Sequence, residues 1–475
     1  MRVVATTLVL IGALATAAAA ADDVSSTAKL YRSTSGSVNL QTDGFDGSGV
    51  TVAVIDSGVA DVNGLDGSVI HQQNISAAPD AGDQFGHGTF VAGIVHASAP
   101  GAKIVSIKLS GANGAVDVTQ VLAALQWVRA HKQQYSIDVV NLSFGNDSKQ
   151  SAYVSPLNLA VQRVWDAGIV VVASSGNAGD SAGSVSKPAD DPLIISVGAT
   201  DEHGTDDRGD DTIPTFVGRG PTQDGLQKPD LVAPGARIVS LRAPGSTIDT
   251  QYPQARIGMD RFRGSGTSFA APIVTGIVAQ MLSADPTLTP NQVKYGLIHG
   301  ATLVNGDPNA MGAGSVRARR ALAVARDGSA NENVVRSTGE GSLDAARGSA
   351  HVELSTVVRV ADGSGEPVTV PVQGELTAEA PVTVADAPPV VVGTDPTGAL
   401  GIVETIVEQT PALALDQFSA ANFRDASTWD ASQWGASQWG ASQWGASQWG
   451  ASQWGASQWG ASQWGASQWW ASQWG

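Results

Sequence analysis

Between residues 50 and 325, short and continuously apolar β-branched runs alternate with amphipathic stretches, and this alternation constrains the fold more than any other feature. Thr51–Ile55, Ile104–Leu109, Val139–Phe144, Ile169–Ala173, Leu193–Val197 and Arg237–Leu241 are predicted as strands. Most lack the in–out alternation of a half-exposed strand, so they are expected to be covered on both faces. Between them, Val118–His131 sets Val121, Leu122, Leu125 and Val128 at helical spacing, and Leu157–Trp165 does the same with Leu157, Ala160, Val161 and Val164. Strand–helix alternation of this kind predicts an α/β fold with a mostly parallel central sheet and helices on both faces. Thr289-Pro290 marks the start of a further helix, with threonine as N-cap and proline in the first helical position.

Composition narrows the function classes. A hydrophobic content of 42% with 15% charged residues is enough for a sizeable core. There are 44 acidic against 27 basic side chains, a net charge of −17, so nucleic acid is not an expected partner. Cysteine is absent, which excludes disulfides, thiol nucleophiles and cysteine-based metal sites. At the N-terminus, Arg2, the apolar stretch Val3–Leu14 and the small residues Ala15–Ala21 predict a signal peptide over residues 1–21. A membrane anchor is the alternative, but Asp22 and Asp23 leave a short apolar span. No later apolar run has transmembrane length. The mature chain is therefore expected to be secreted, either extracellular or associated with the cell wall.

Beyond residue 325 the composition shifts. Residues 326–423 are rich in Val, Thr and Pro and are expected to form a linker or a small β-rich region, with alternation in His351–Ala361 and Val368–Gln373. Within this stretch Ile402–Leu415 is expected as a weak helix interrupted by Pro411. Residues 424–475 form a tail that ends in nine five-residue units, Ala-Ser-Gln-Trp-Gly, with Trp470 replacing glycine in the eighth. Successive tryptophans would be turned by about 140° on a helix and would alternate faces on a strand, so neither element gathers them on one side. A narrow array with a turn at each glycine, or a disordered and sticky segment, are the two outcomes left.

Four short constellations carry possible chemistry. Val52-Ala-Val-Ile-Asp56-Ser-Gly58 ends a buried strand on a carboxylate, at the edge where open α/β sheets build sites. An aspartate there also serves as a cap or a metal ligand. Gly86-His87-Gly88-Thr89 leads into an apolar helical face, so His87 sits near a helix N-terminus, where the dipole favours a neutral ring. A capping role is the alternative. Gly266-Thr-Ser268-Phe-Ala-Ala-Pro272 delivers Ser268 at the start of a helix, as a cap or as a nucleophile beside a free backbone N–H. Pro272 is expected in the early turn, where missing N–H groups cost nothing. Ala173-Ser-Ser-Gly176-Asn177-Ala-Gly179 turns at a strand end, either as an ordinary turn or with an amide aimed at an oxyanion.

Taken together, these blocks resemble the subtilisin-like serine proteases. The order Asp, His, Ser is that family's, and the separations of 31 residues from Asp56 to His87 and 90 from His87 to Asn177 are close to its pattern. The segment Gly218-Arg-Gly-Pro-Thr-Gln-Asp-Gly-Leu-Gln-Lys-Pro-Asp230-Leu-Val-Ala-Pro-Gly235 is similar to the family's stretch ahead of the serine. The resemblance implies a subtilisin-like three-layer catalytic domain within residues 22–325 and serine endopeptidase activity on protein or peptide substrates. It implies Asp56, His87 and Ser268 as catalytic triad and Asn177 with the Ser268 N–H as oxyanion hole. It further implies Ser143, Phe144 and Gly145 as one substrate-binding wall and Ala173, Ser174, Ser175 and Gly176 as the other. No cofactor is required for this chemistry. The family leaves room for structural calcium at an unassigned site, and the acidic run Asp206, Asp207, Asp210, Asp211 is one candidate, against a solvated acidic loop.

Two departures from the family stand out. Only about 30 residues separate the expected signal cleavage from the first catalytic strand, so a folding prosegment of several dozen residues is not expected. The 91 residues from Asn177 to Ser268 exceed compact relatives, with the extra length expected in Asp201–Asp211 and Ala243–Arg263. The rival reading is a non-catalytic scaffold or adhesin that works through the tryptophan tail by wall attachment or self-association. A nucleotide-binding domain fails, because Gly47-Ser-Gly49 precedes its strand instead of following it.

Overall fold

The computed structural model describes residues 29–349 except 180, and the backbone of four later strands. The expected signal peptide and the tryptophan tail lie outside the described residues. The described part divides into two units, one running to residue 348 and one containing the later strands.

In chain order, the first unit contains β1 (Thr51–Asp56), β2 (Val69–Asn74), α1 (His87–Ser98), β3 (Lys103–Lys108), α2 (Val118–Tyr135), β4 (Ile137–Leu142), α3 (Pro156–Asp166), β5 (Val170–Ser174), β6 (Ile195–Thr200) and β7 (Leu231–Pro234). It continues with β8 (Ile238–Leu241), β9 (Arg256–Ile257), β10 (Arg261–Gly264), α4 (Thr267–Ala284) and α5 (Pro290–Gly300). Seven strands form one sheet in the order β2-β3-β1-β4-β5-β6-β7, and every pairing in it is parallel. All six residues of β1 and of β6 are buried, which requires cover on both faces and explains why these strands carry small and apolar residues with no in–out alternation. Helices α1 and α4 pack on each other and on the strands, and α2 and α3 form a second pair against β4 and β5.

Because the strands are parallel, their carboxyl ends share one edge. β1 lies between β3 and β4 and ends in Asp56, while β4 and β5 lead into Ser143–Gly145 and Ser175–Gly176 on that same edge. This is where the chain reverses its direction of travel across the sheet, the place where such folds open a crevice. Helix α4 is buried from Thr267 through Leu282. It is the one helix among the described residues long and apolar enough to cross a membrane, and its burial in the unit accounts for that composition. At Gly276 an added Cβ would lie 2.4 Å from Ser98 Cβ, so glycine sets the close approach of α4 to α1.

Several expectations are corrected in detail. β2 and β7 are strands that the apolar pattern does not mark: β2 is a polar, half-exposed edge strand, and β7 is four residues long. The expected strand at 237–241 belongs to a separate three-stranded antiparallel sheet, β8-β10-β9. Pro272 is the sixth residue of α4, one turn deeper than expected, so the Ser268 carbonyl has no N–H donor four residues on. The helix expected at Ile402–Leu415 is instead the strand Leu400–Gln409. Its β-branched run Ile402-Val403 and Thr405-Ile406-Val407 favours an extended chain. Thr289 and Pro290 do open α5 as expected, with a full capping box.

Residues beyond 325 stay on the first unit before leaving it. Ser337 donates to Gln162 and to the Ser155 carbonyl, and Asn146 Nδ2 donates to the Ala346 carbonyl at 2.8 Å. Arg347 then pairs with Asp117, the N-cap of α2, at 2.7 Å. The second unit is a four-stranded antiparallel sheet of β12 (Pro367–Val372), β11 (Leu354–Ala361), β14 (Leu400–Gln409) and β13 (Val390–Thr394), in that order.

Just past β6, Glu202 is 3% exposed and its carboxyl is pushed up to about 8, chiefly by burial, against an ordinary 4.5. An acid with a raised folded pKa loses stability as pH climbs from its unfolded to its folded value. Glu202→Gln keeps an acceptor for the Thr200 hydroxyl, bonded at 2.6 Å, and removes the buried charge. In a Ser268→Ala background, this variant should match its parent near pH 4 and be about 1–3 kcal/mol more stable at pH 9 by urea unfolding. Equal stability of the two chains at pH 9 would refute the assignment.

Candidate active site

Asp56 is the last residue of β1 and is 1% exposed. Its carboxylate lies 2.8 and 3.0 Å from His87 Nδ1 and also accepts the Ser57 N–H at 2.8 Å. His87 is the first residue of α1, 2% exposed, after Gly86 at φ 108°, a value that favours glycine. A ring that donates from Nδ1 to a carboxylate presents Nε2 as its acceptor nitrogen when neutral.

Ser268 is the second residue of α4, so its own N–H is one of the first-turn donors without an intrahelical acceptor. Its neighbour Phe269 packs on His87 with ring centroids 5.6 Å apart. Its other neighbour, Thr267, donates from both N–H and Oγ to Asn177 Oδ1, each at 2.9 Å. A backbone N–H can only donate, so these bonds fix which end of the Asn177 amide is oxygen and leave Nδ2 as donor. The same Thr267 hydroxyl accepts the Gly176 N–H at 3.2 Å. Farther along α4, Thr275 donates to Asn141 of β4, which in turn donates to Ser143 Oγ. One helix therefore carries Ser268 and holds both neighbouring strand ends in register.

The two expected walls stand opposite each other. A Cβ on Gly145 would lie 2.5 Å from Ser186 Oγ, and one on Gly176 would lie 2.7 Å from the same atom. Ser186 thus lies between the Ser143–Gly145 segment and the Ala173–Gly176 segment, and both glycines are needed for that fit. Sequence reasoning missed Ser186, because Val185-Ser186-Lys187 has no motif around it; only contact with both walls identifies it. Asn146 and Lys187 exchange backbone bonds at 3.0 and 3.1 Å and fasten this base to the wall.

The acidic run behaves differently. Asp210 accepts from the Thr205 hydroxyl, Asp207 accepts from the Gly209 N–H, and Asp211 is buried. Among the described residues no group of three or more His, Cys, Asp or Glu side chains is placed to hold a metal ion.

Residues 47–314 match the Subtilase family, and that span is more than half of the chain. The chain belongs to the subtilase family. Serine protease AprX of Bacillus subtilis (strain 168) is 36% identical over 294 residues, covering 58% of this chain and 66% of that one. M-protease of Shouchella clausii (strain KSM-K16) is 33% identical over 290 residues, covering 58% and 65%. Subtilisin Savinase of Lederbergia lenta is also 33% identical over 290 residues, covering 58% of this subtilase and 92% of the relative. The match therefore spans just under two-thirds of AprX and of M-protease. All three alignments leave about 40% of this subtilase without a counterpart in them.

Proposed function

We propose that this subtilase is a secreted serine endopeptidase. The observation that carries the reading is the buried Asp56–His87 hydrogen bond, set against the helix whose second residue is Ser268. Ser268 Oγ attacks the peptide carbonyl carbon as its proton passes to His87 Nε2, and Asp56 stabilises the imidazolium that results. The carbonyl oxygen, now negative, takes hydrogen bonds from the Ser268 N–H and Asn177 Nδ2. Collapse of this intermediate breaks the C–N bond while His87 gives its proton to the departing amine, leaving an acyl ester on Ser268. Water then repeats the cycle and frees the acid. A substrate side chain enters between the Gly145 and Gly176 walls, with Ser186 at the base of the pocket.

A serine-directed aryl phosphonate tests this directly. It should label the full-length chain at Ser268, located by mass spectrometry, and that chain should hydrolyse a denatured protein. Absence of both label and hydrolysis in a folded preparation would remove the proposal. For the tail, the nine tryptophan-bearing units offer flat rings for stacking on wall sugars. A chain lacking residues 424–475 should bind isolated cell walls more weakly, and equal binding would end the anchoring role.

A further inference from the structure

The segment that delivers His87 is fixed from several sides, and one buried carboxylate sits at its centre. Asp83 is 8% exposed. Its Oδ1 accepts from the Ser57 hydroxyl at 2.9 Å, the Phe85 N–H at 3.1 Å and the Gly86 N–H at 2.7 Å. Its Oδ2 accepts from the Thr89 N–H at 2.8 Å and the Thr89 hydroxyl at 2.6 Å. Both hydroxyls carry the connection onward. Ser57 Oγ accepts the Gly88 N–H at 2.9 Å, and Thr89 Oγ1 accepts the Ala60 N–H at 3.0 Å. The turn after Asp56 and the first turn of α1 are therefore joined along a closed seam of hydrogen bonds. The backbones meet so closely that a Cβ on Gly88 would lie 2.1 Å from the Gly58 carbonyl oxygen.

Asp56 and His87 face each other across this seam, one residue to the side of Ser57 and of Gly88. Around it, the buried ammonium of Lys108 donates to the Gly82 carbonyl and to Gln84 Oε1 and lies 3.8 Å from Asp80. Thr247 and Ile248 donate their N–H groups to the Gln84 and Phe85 carbonyls from the opposite side. The loop 80–86 is thus immobilised on its flanks, and the Asp83 carboxylate is the group that ties it to both catalytic turns at once.

We propose that Asp83 is a positioning residue that sets the Asp56–His87 geometry by holding the two turns in register. The proposal rests on the protease reading and deepens it. Asparagine at this position must turn an amide toward donors, either the Ser57, Phe85 and Gly86 groups or the two of Thr89, so at least one side of the seam opens. A displacement of an ångström at a catalytic group is enough to cost about 10²-fold in rate. The charges that bear on His87 across this seam are Asp56, Asp83, Asp80 and Lys108.

The test compares Asp83→Asn and Ser57→Ala with the unaltered full-length chain, with active sites counted by phosphonate titration. Per titrated site, Asp83→Asn should lose about 10²-fold in kcat with KM within about twofold, and the acid limb of its kcat/KM profile should shift. Ser57→Ala cuts the same seam at one hydroxyl, losing its bonds to Asp83 and from Gly88, should lose roughly tenfold in kcat, and serves if Asp83→Asn does not fold. Equal kcat per site and an unchanged pH profile in the folded variants, with activity lost only as the folded fraction falls, would reduce Asp83 to a structural group and overturn the proposal. An unaltered chain that neither hydrolyses nor labels would instead overturn the protease reading on which it stands.

Discussion

The Ser268→Ala chain is expected to fold normally and to lose about 10⁶-fold in kcat, falling to the residual rate that binding and oxyanion stabilisation supply without a nucleophile. The expectation follows from the geometry of α4. Ser268 is buried within a helix whose neighbours are small or apolar, so removing one hydroxyl leaves the Thr267–Asn177 bonds, the Phe269–His87 contact and the helix intact. His87→Ala should cost about as much, and the double variant little more than either alone, because a nucleophile without its base and a base without its nucleophile do the same nothing. Additive losses in the double variant would mean that the two groups act independently, which a proton transfer shared between them does not allow. Turnover of a chromogenic peptide, with circular dichroism as the control for folding, distinguishes these outcomes.

The second large effect belongs to Asn177. Its Nδ2 is directed by two bonds to its own oxygen, and both donors come from Thr267, the residue next to Ser268. Asn177→Ala should lower kcat by about 10²–10³-fold with little change in KM, because the charge it serves exists only in the transition state. Thr267→Val removes one of the two orienting bonds and keeps the backbone one, so its loss in kcat should be smaller and of the same kind. A variant at either position that raises KM and spares kcat would show that the amide binds ground-state substrate instead. Steady-state kinetics across substrate concentrations separates the two cases.

How much of this was legible in the sequence depends on whether the signal is local. The buried strands announced themselves because parallel strands covered on both faces are mostly apolar without in–out alternation, and the centres of β1, β3, β4 and β5 have that character. The N-terminus of α5 was legible for a comparable reason, since Thr289, Pro290 and Gln292 satisfy the helix's first donors within four residues. β2 was not, because an edge strand carrying His71, Gln72 and Gln73 has no apolar periodicity and is a strand only through its pairing with β3. The strand at Leu400–Gln409 was misjudged because a short run of Ile, Val and Glu fits a weak helix as well as it fits a strand.

The site divides along the same line. The chemistry on offer is local: a carboxylate at a strand end, a histidine and a serine at helix starts, and an asparagine in a glycine turn. Those are properties of a few adjacent residues. Packing settled which of these side chains meet. It brought Asp56 to His87, turned the Asn177 amide through Thr267, set Ser186 against both Gly145 and Gly176, and tied Asp83 to the turns that carry Asp56 and His87. A hydrogen bond or a steric fit between separate segments depends on how those segments lie against each other. No short stretch of residues carries that information.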